Sequence, residues 1–275
     1  LGGHSGQDID KERQNADLLM ARMIQRLLKE TKGQLVSFNG GTKDNAIPRE
    51  CEASLIYESD EEAAKAEELA CELAETYAEE LTPAEPDFSC EISCETNRTA
   101  EAIPQDAAKE FICAMRLAPN GIQKRNIKMD GFVVVSLNLG VVRTEEDRIV
   151  MIFSPRSSVA SLQEDTKERL NTLAETFGFT VSHSSEYPGW SFKEDSPVRE
   201  ICKESYKELF GEDLKIEAIH AGLECGLFSD AIKGLDAIAI GPTIANCHTP
   251  DEYLTLDSFE RFYEFLKDIL SRLAK

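Results

Sequence analysis

Two stretches of this chain repeat one order of elements, and that order most narrows what it can fold into. Residues 8–95 and 104–186 each read as helix, strand, strand, helix, strand. In the first stretch, Leu18, Leu19, Met23, Ile24, Leu27 and Leu28 fall at helical spacing within residues 10–32, and Gly33 ends the run. Residues 34–39 predict a strand closed by Gly40 and Gly41, and residues 51–57 a second. A Glu/Ala-rich helix follows over 61–80, a solvated face by composition. Phe88, Cys90, Ile92 and Cys94 then alternate with polar residues over 87–95, the pattern of a half-buried strand. The second stretch repeats this: a helix at 104–117 opened by Pro104, strands at 131–142 and 148–153, a helix at 159–177 and a strand at 179–184. The expected product is an α/β fold, a doubled α/β sandwich with an antiparallel sheet.

The rest of the chain breaks the pattern. Residues 187–192 read as a linker. A helix at 196–210, a strand at 214–219, a short helix at 227–232, a buried strand at 235–240 and a helix at 256–273 follow, with glycine-rich turns on either side of the 235–240 run. Phe259, Phe262, Phe265, Leu266, Ile269 and Leu270 form a stripe on the last helix. Two strands in about 80 residues bury little surface, so this segment is expected to complete a larger sheet.

The 275 residues carry 51 acidic and 30 basic side chains, a formal charge of −21. That argues against nucleic acid and anionic membrane as partners. No apolar run approaches a membrane span. The eight cysteines include no C-x-x-C pair and read as reduced thiols of a cytoplasmic protein.

Several residues have side chains suited to chemistry. His248 follows the second glycine turn, at the carboxyl end of an expected buried strand; it either ligates a metal, moves a proton, or is a satisfied structural histidine. His4 lies among glycines that bring the backbone close to a ligand, or it is an incidental turn residue. Glu224, between Gly222 and Gly226, either holds a metal or substrate amine or supplies a charge at a helix start. Arg156 suits a carboxylate, with a surface ion pair as the plainer role. Asn138, inside an apolar strand, needs a partner or is presented to a ligand, whereas Asn45 reads as a turn residue.

Six motifs run in one order along the chain: Gly2-Gly-His-Ser-Gly-Gln-Asp-Ile9, Asn45-Ala-Ile-Pro-Arg-Glu50, Ser136-Leu-Asn-Leu-Gly-Val-Val142, Tyr187-Pro-Gly-Trp190, His220-Ala-Gly-Leu-Glu-Cys-Gly226, and Gly241-Pro-Thr-Ile244 leading to His248-Thr-Pro-Asp-Glu252. Together they resemble the aminoacyl-histidine dipeptidases of the dizinc metallopeptidase group that includes the carnosinases. The resemblance implies a lid and dimerisation domain over 1–187 and the C-terminal portion of a metal-bearing catalytic domain over 188–275. It implies two divalent metal ions, zinc first with cobalt or manganese as alternatives, and a dipeptide substrate. His248 matches a metal ligand, His4 a lid histidine that stabilises the oxyanion, and Arg156 a lid arginine that grips the substrate carboxylate. Asn138 is a substrate contact with Asn45 as its rival, and Glu224 lies near the substrate. No His-x-Asp motif occurs in this sequence, and no match is found to the N-terminal half in which the family carries it with a bridging Asp and a Glu-Glu pair. The chain is therefore expected to be a fragment, inactive alone. The alternatives are a non-catalytic lid module, or a related exopeptidase or acylase.

Overall fold

A computed structural model describes residues 1–82, 84–127, 131–184, 188–190, 192–217, 224–245 and 252–274. They divide into two compact units, the chain passing from the first to the second between Ser184 and Pro188.

The first unit runs β1 (Gly3–His4), α1 (Ala16–Glu30), β2 (Gln34–Gly40), β3 (Ala46–Ile47), β4 (Cys51–Ile56), α2 (Asp60–Leu81), α3 (Gln105–Leu117), β5 (Gly121–Asn126), β6 (Phe132–Thr144), β7 (Ile149–Ser157) and α4 (Ala160–Thr176). Its sheet is antiparallel in the order β4-β2-β6-β5, with β7 also paired to β6, and β1 pairs β3 apart from it. This is the α/β sandwich that the repeat predicts. β6 is the central strand because it is apolar nearly throughout, and Val133 to Val142 are all buried.

The first helix begins at Ala16 rather than at residue 10. Asn15 caps it, its Oδ1 accepting the Asp17 and Leu18 amides, and its Nδ2 donates to Leu139 O at 2.7 Å. One side chain thus ends the preceding turn and ties α1 to β6. Behind that tie, Ile24 and Leu27 of α1, Phe111 and Met115 of α3 and Tyr77 of α2 close over Leu35, Phe38, Leu139 and Val142. Phe38 and Phe111 meet edge to face with centroids 5.4 Å apart. Burying each large apolar side chain contributes roughly 1.5–3 kcal/mol.

Three expectations differ here. The 87–95 and 179–184 segments form no ladder, and β5 is an additional strand. Phe88, Cys90 and Ile92 still pack on the core, so their alternation marks one-sided burial without a hydrogen-bonded partner. β5 was hidden because Gly-Ile-Gln-Lys-Arg-Asn has a single large apolar residue; cross-strand pairing, not apolar alternation, makes it a strand.

The second unit contains α5 (Pro197–Phe210), α6 (Glu224–Ala231), β8 (Ile244–Ala245), β9 (Tyr253–Leu254) and α7 (Leu256–Leu273). Ser196 caps α5 through Oγ, and Gly211 closes it in a left-handed conformation. Tyr206 packs edge-on against Phe265, and Cys202, Phe265 and Ile269 are the buried apolar residues of its core. The 214–217 part of the expected 214–219 strand, and the whole of 235–240, form no ladder among the described residues. Leu235 to Ile238 are only half-buried, and Ile240 is exposed. A continuous apolar run becomes a strand only where neighbouring strands supply its hydrogen bonds. The short helix begins at Glu224 rather than residue 227. Among the described residues no helix is long and apolar enough to cross a membrane.

Candidate active site on the first unit

Two of the residues singled out in the sequence, Asn138 and Arg156, share one polar face of the sheet, and a third, His4, lies on a short strand pair bonded to Asn138. In the β6–β7 ladder Ser136 pairs with Arg156, and Asn138 with Ser154. Residues two apart on a strand share a face, so these four side chains project from the side opposite Leu137 and Leu139. The β1–β3 pair lies over this face. Asn138 Nδ2 donates to Asp44 O at 3.2 Å and to Ala46 O at 2.8 Å, and Ala46 is the ladder partner of His4. Asn45 itself is exposed on the turn that Asn138 holds, and its carbonyl accepts the Ser5 amide at 2.9 Å.

The first turn of chain fixes the histidine ring. His4 Nδ1 accepts from the amides of Gly6 and Gln7, both at 3.1 Å. A nitrogen that accepts twice carries no proton, so the neutral ring has its proton on Nε2. The His4 amide donates to Asp8 Oδ2 at 2.8 Å, and the Asp8 amide returns to His4 O at 2.9 Å. Burial pulls the Asp8 carboxyl up, but hydrogen bonds from Lys11 and the His4 amide, together with the charge of Arg13, hold it below the usual carboxylate range. Gly3 is favoured where it stands by its φ of +155°, which L side chains rarely adopt, and a Cβ there would also lie 2.9 Å from Asp8 Cβ. Asp8 was not singled out in the sequence, although its position four residues after His4 is the spacing of a closed turn.

Arg156 is half-buried, and its Nε has no hydrogen-bond partner. Burial draws the guanidinium below its ordinary value, opposed by the charge of Asp44. A partly desolvated guanidinium with an uncommitted donor is suited to a carboxylate. On Asn138, 1% exposed, both donors serve main-chain carbonyls and Oδ1 has no partner. Beside it lies a hollow of about 360 Å³ whose lining includes Ile9, Arg13, Ile47, Asn120, Ile122 and Asn138. That size is at the small end for a small-molecule site.

The two remaining candidates lie further along the chain. Glu224 is exposed in the first turn of α6, where a carboxylate also favours the helix dipole. Two of the sequence motifs meet there, because a Cβ on Gly226 would lie 2.8 Å from Pro188 O and 3.5 Å from Trp190 Cβ. His248 and His220 lie outside the described residues. Among the described residues no three of His, Cys, Asp and Glu are gathered so as to hold a metal ion. A catalytic metal therefore has no complete ligand set there.

The peptidase family M20/M25/M40 matches residues 41–272. The chain belongs to that family. It is 32% identical to the cytosol non-specific dipeptidase of Escherichia coli (strain K12) over 99% of its own length and 56% of that protein. The crystal structure of an aminoacylhistidine dipeptidase from Vibrio alginolyticus superposes with a TM-score of 0.86 at 34% identity, covering 98% of this chain and 55% of the other. The chain thus spans about half the length of these relatives.

Proposed function

We propose that this chain is the lid and the C-terminal part of the catalytic domain of a metal-dependent dipeptidase. What supports this reading is that Asn138 and Arg156 share one polar face and that Asn138 bonds the carbonyl of His4's ladder partner. His4 would donate its Nε2 proton to the oxyanion of the scissile carbonyl, an effect worth about 3–4 kcal/mol per donor. Arg156 would hold the dipeptide's free carboxylate through its uncommitted Nε. Asn138 Oδ1, which has no partner within the chain, would accept a substrate N–H, and Glu224 is a further candidate substrate contact. The metal ions, a pair with zinc first and cobalt or manganese as alternatives, would take His248 and further ligands that the described residues do not provide. The relatives' names favour a dipeptide substrate and a cytoplasmic setting. A homodimer formed through the first unit completes the proposal.

The test is hydrolysis of Xaa-His dipeptides by the full-length protein with added zinc. His4→Ala is expected to lower kcat by about 100- to 1,000-fold. Arg156→Ala is expected to raise KM for free dipeptides and to leave carboxyl-amidated ones unaffected. His248→Ala should lose both activity and bound metal. The 275-residue chain alone should be inactive. Wild-type activity in His4→Ala would defeat the reading. A full-length protein that binds no metal and cleaves nothing would favour the non-catalytic lid module, and turnover of N-acyl amino acids alone would favour the acylase.

A further inference from the structure

We propose that Asn138 is a positioning residue: its carboxamide fixes the 43–47 turn on the polar face of β6, and through that turn it sets His4. The inference deepens the proposed role of His4 and rests on it for its catalytic consequence.

A carboxamide in the middle of an apolar central strand is costly unless its groups are bonded. Asn138 uses both amide protons on carbonyls of one turn, Asp44 O and Ala46 O, while Oδ1 remains unpartnered. The surrounding residues are fitted to the same turn. A Cβ on Gly140 would lie 2.4 Å from Asp44 O and 2.7 Å from Asp44 Cα, so the turn rests directly on the backbone of β6. Gly41 has φ +63°, and a Cβ there would come within 1.9 Å of Gly140 O. Arg143 grips the entry to the turn, Nη2 donating to Gly41 O at 2.7 Å and Nη1 to Gly40 O at 3.4 Å.

The turn in turn carries the histidine. Gly3 pairs with Ile47, His4 with Ala46, and the Ser5 amide donates to Asn45 O. A pair of two-residue strands does not hold itself together in water. Its geometry is therefore borrowed from β6, and the Asn138 amide is the direct link, bonding the carbonyl of His4's own ladder partner.

The first measurement needs no activity. In the 275-residue chain carrying Asn138→Leu, amide exchange of Ser5 and Ala46 should accelerate on the order of 10- to 100-fold relative to the core amides of α1 and β7, the loss of two hydrogen bonds. Asn138→Ser, which keeps a donor but can serve only one carbonyl, should fall between, and it remains informative if the leucine variant does not fold. In the full-length dipeptidase the same variants should lower kcat far more than they change KM. Exchange that accelerates equally throughout the first unit, or that does not change at Ser5 and Ala46, would overturn the proposal. Selective acceleration with kcat unchanged would support the clamp and overturn the catalytic reading of His4.

Discussion

The first unit buries Leu35, Phe38, Leu139 and Val142 completely, whereas the second buries Cys202, Phe265 and Ile269 and leaves Leu256, Phe228 and Leu270 more than half exposed. Both contain amphipathic helices and strands, and each caps some helices with polar side chains, Asn15 and Ser59 in the first and Ser196 in the second. The first closes its helices over a ladder-bonded sheet. In the second the 235–240 run, apolar enough for a central strand, has no ladder to join among the described residues. Secondary structure alone therefore does not make a core; layered apolar faces do.

Core truncation should widen that contrast most. Phe38→Ala is expected to cost the first unit about 3–5 kcal/mol, seen as a large drop in its urea midpoint. Phe265→Ala should unfold α5 and α7 while leaving the exchange protection of α1 and β6 unchanged. Cooperative loss of both units in either variant would break the comparison.

Asp17 offers the next largest effect. It is fully buried at the start of α1, pressed against Gly40, and neither oxygen has a hydrogen-bond partner meeting normal geometry. Burial pushes its carboxyl up to about 7, against the opposing influence of the Cys51 thiol and the Arg143 charge. The folded state therefore holds this proton more tightly than the unfolded chain does. Its contribution is fully present below about pH 4 and is lost as pH rises through 7. Asp17→Asn should make the first unit more stable at pH 8, by roughly 2–4 kcal/mol, and change little at pH 4. Equal midpoint shifts at both pH values would refute it.

Helix caps give the smaller, graded effects. Asn15→Ala removes a cap and leaves Leu139 O without its partner, so a loss of about 2 kcal/mol is expected in the first unit's unfolding free energy. Ser196→Ala removes the cap of α5. It should cost about 1 kcal/mol, with exchange rising at the Arg199 amide alone. If Ser196→Ala proved the more damaging, the second unit would be the better ordered of the two.

Much of the fold was legible because periodicity reports burial. The α7 boundaries, Leu256 to Leu273, match the sequence reading, since a continuous apolar stripe fixed them. What stayed hidden depends on partners beyond the segment itself. The anchoring of Asn15 to Leu139 joins residues 124 positions apart; β5 was hidden although its partner β6 is the next strand, because pairing and not its own apolar pattern makes it a strand. The site divides the same way. Glycines around His4 signalled a close approach of the backbone to a ligand; within the chain, Gly3 lies against Arg13 and Asp8. That Asn138 would spend its donors on Asp44 and Ala46, more than ninety positions earlier, has no local signature.

β2 and β6 share one ladder pair, Gly40 with Val142, and are otherwise bracketed by side chains: Thr144 Oγ1 bonds both the amide and the carbonyl of Phe38, and Asn39 Oδ1 accepts the Thr144 amide. The two repeats of the first unit are thus stitched along a seam with almost no main-chain continuity. Such a seam is held by apolar packing and side-chain bonds rather than by a run of main-chain bonds. Any change in the mutual twist of the repeats has to re-aim Thr144, Asn39 and Arg143, but it breaks one ladder pair rather than a run of backbone bonds.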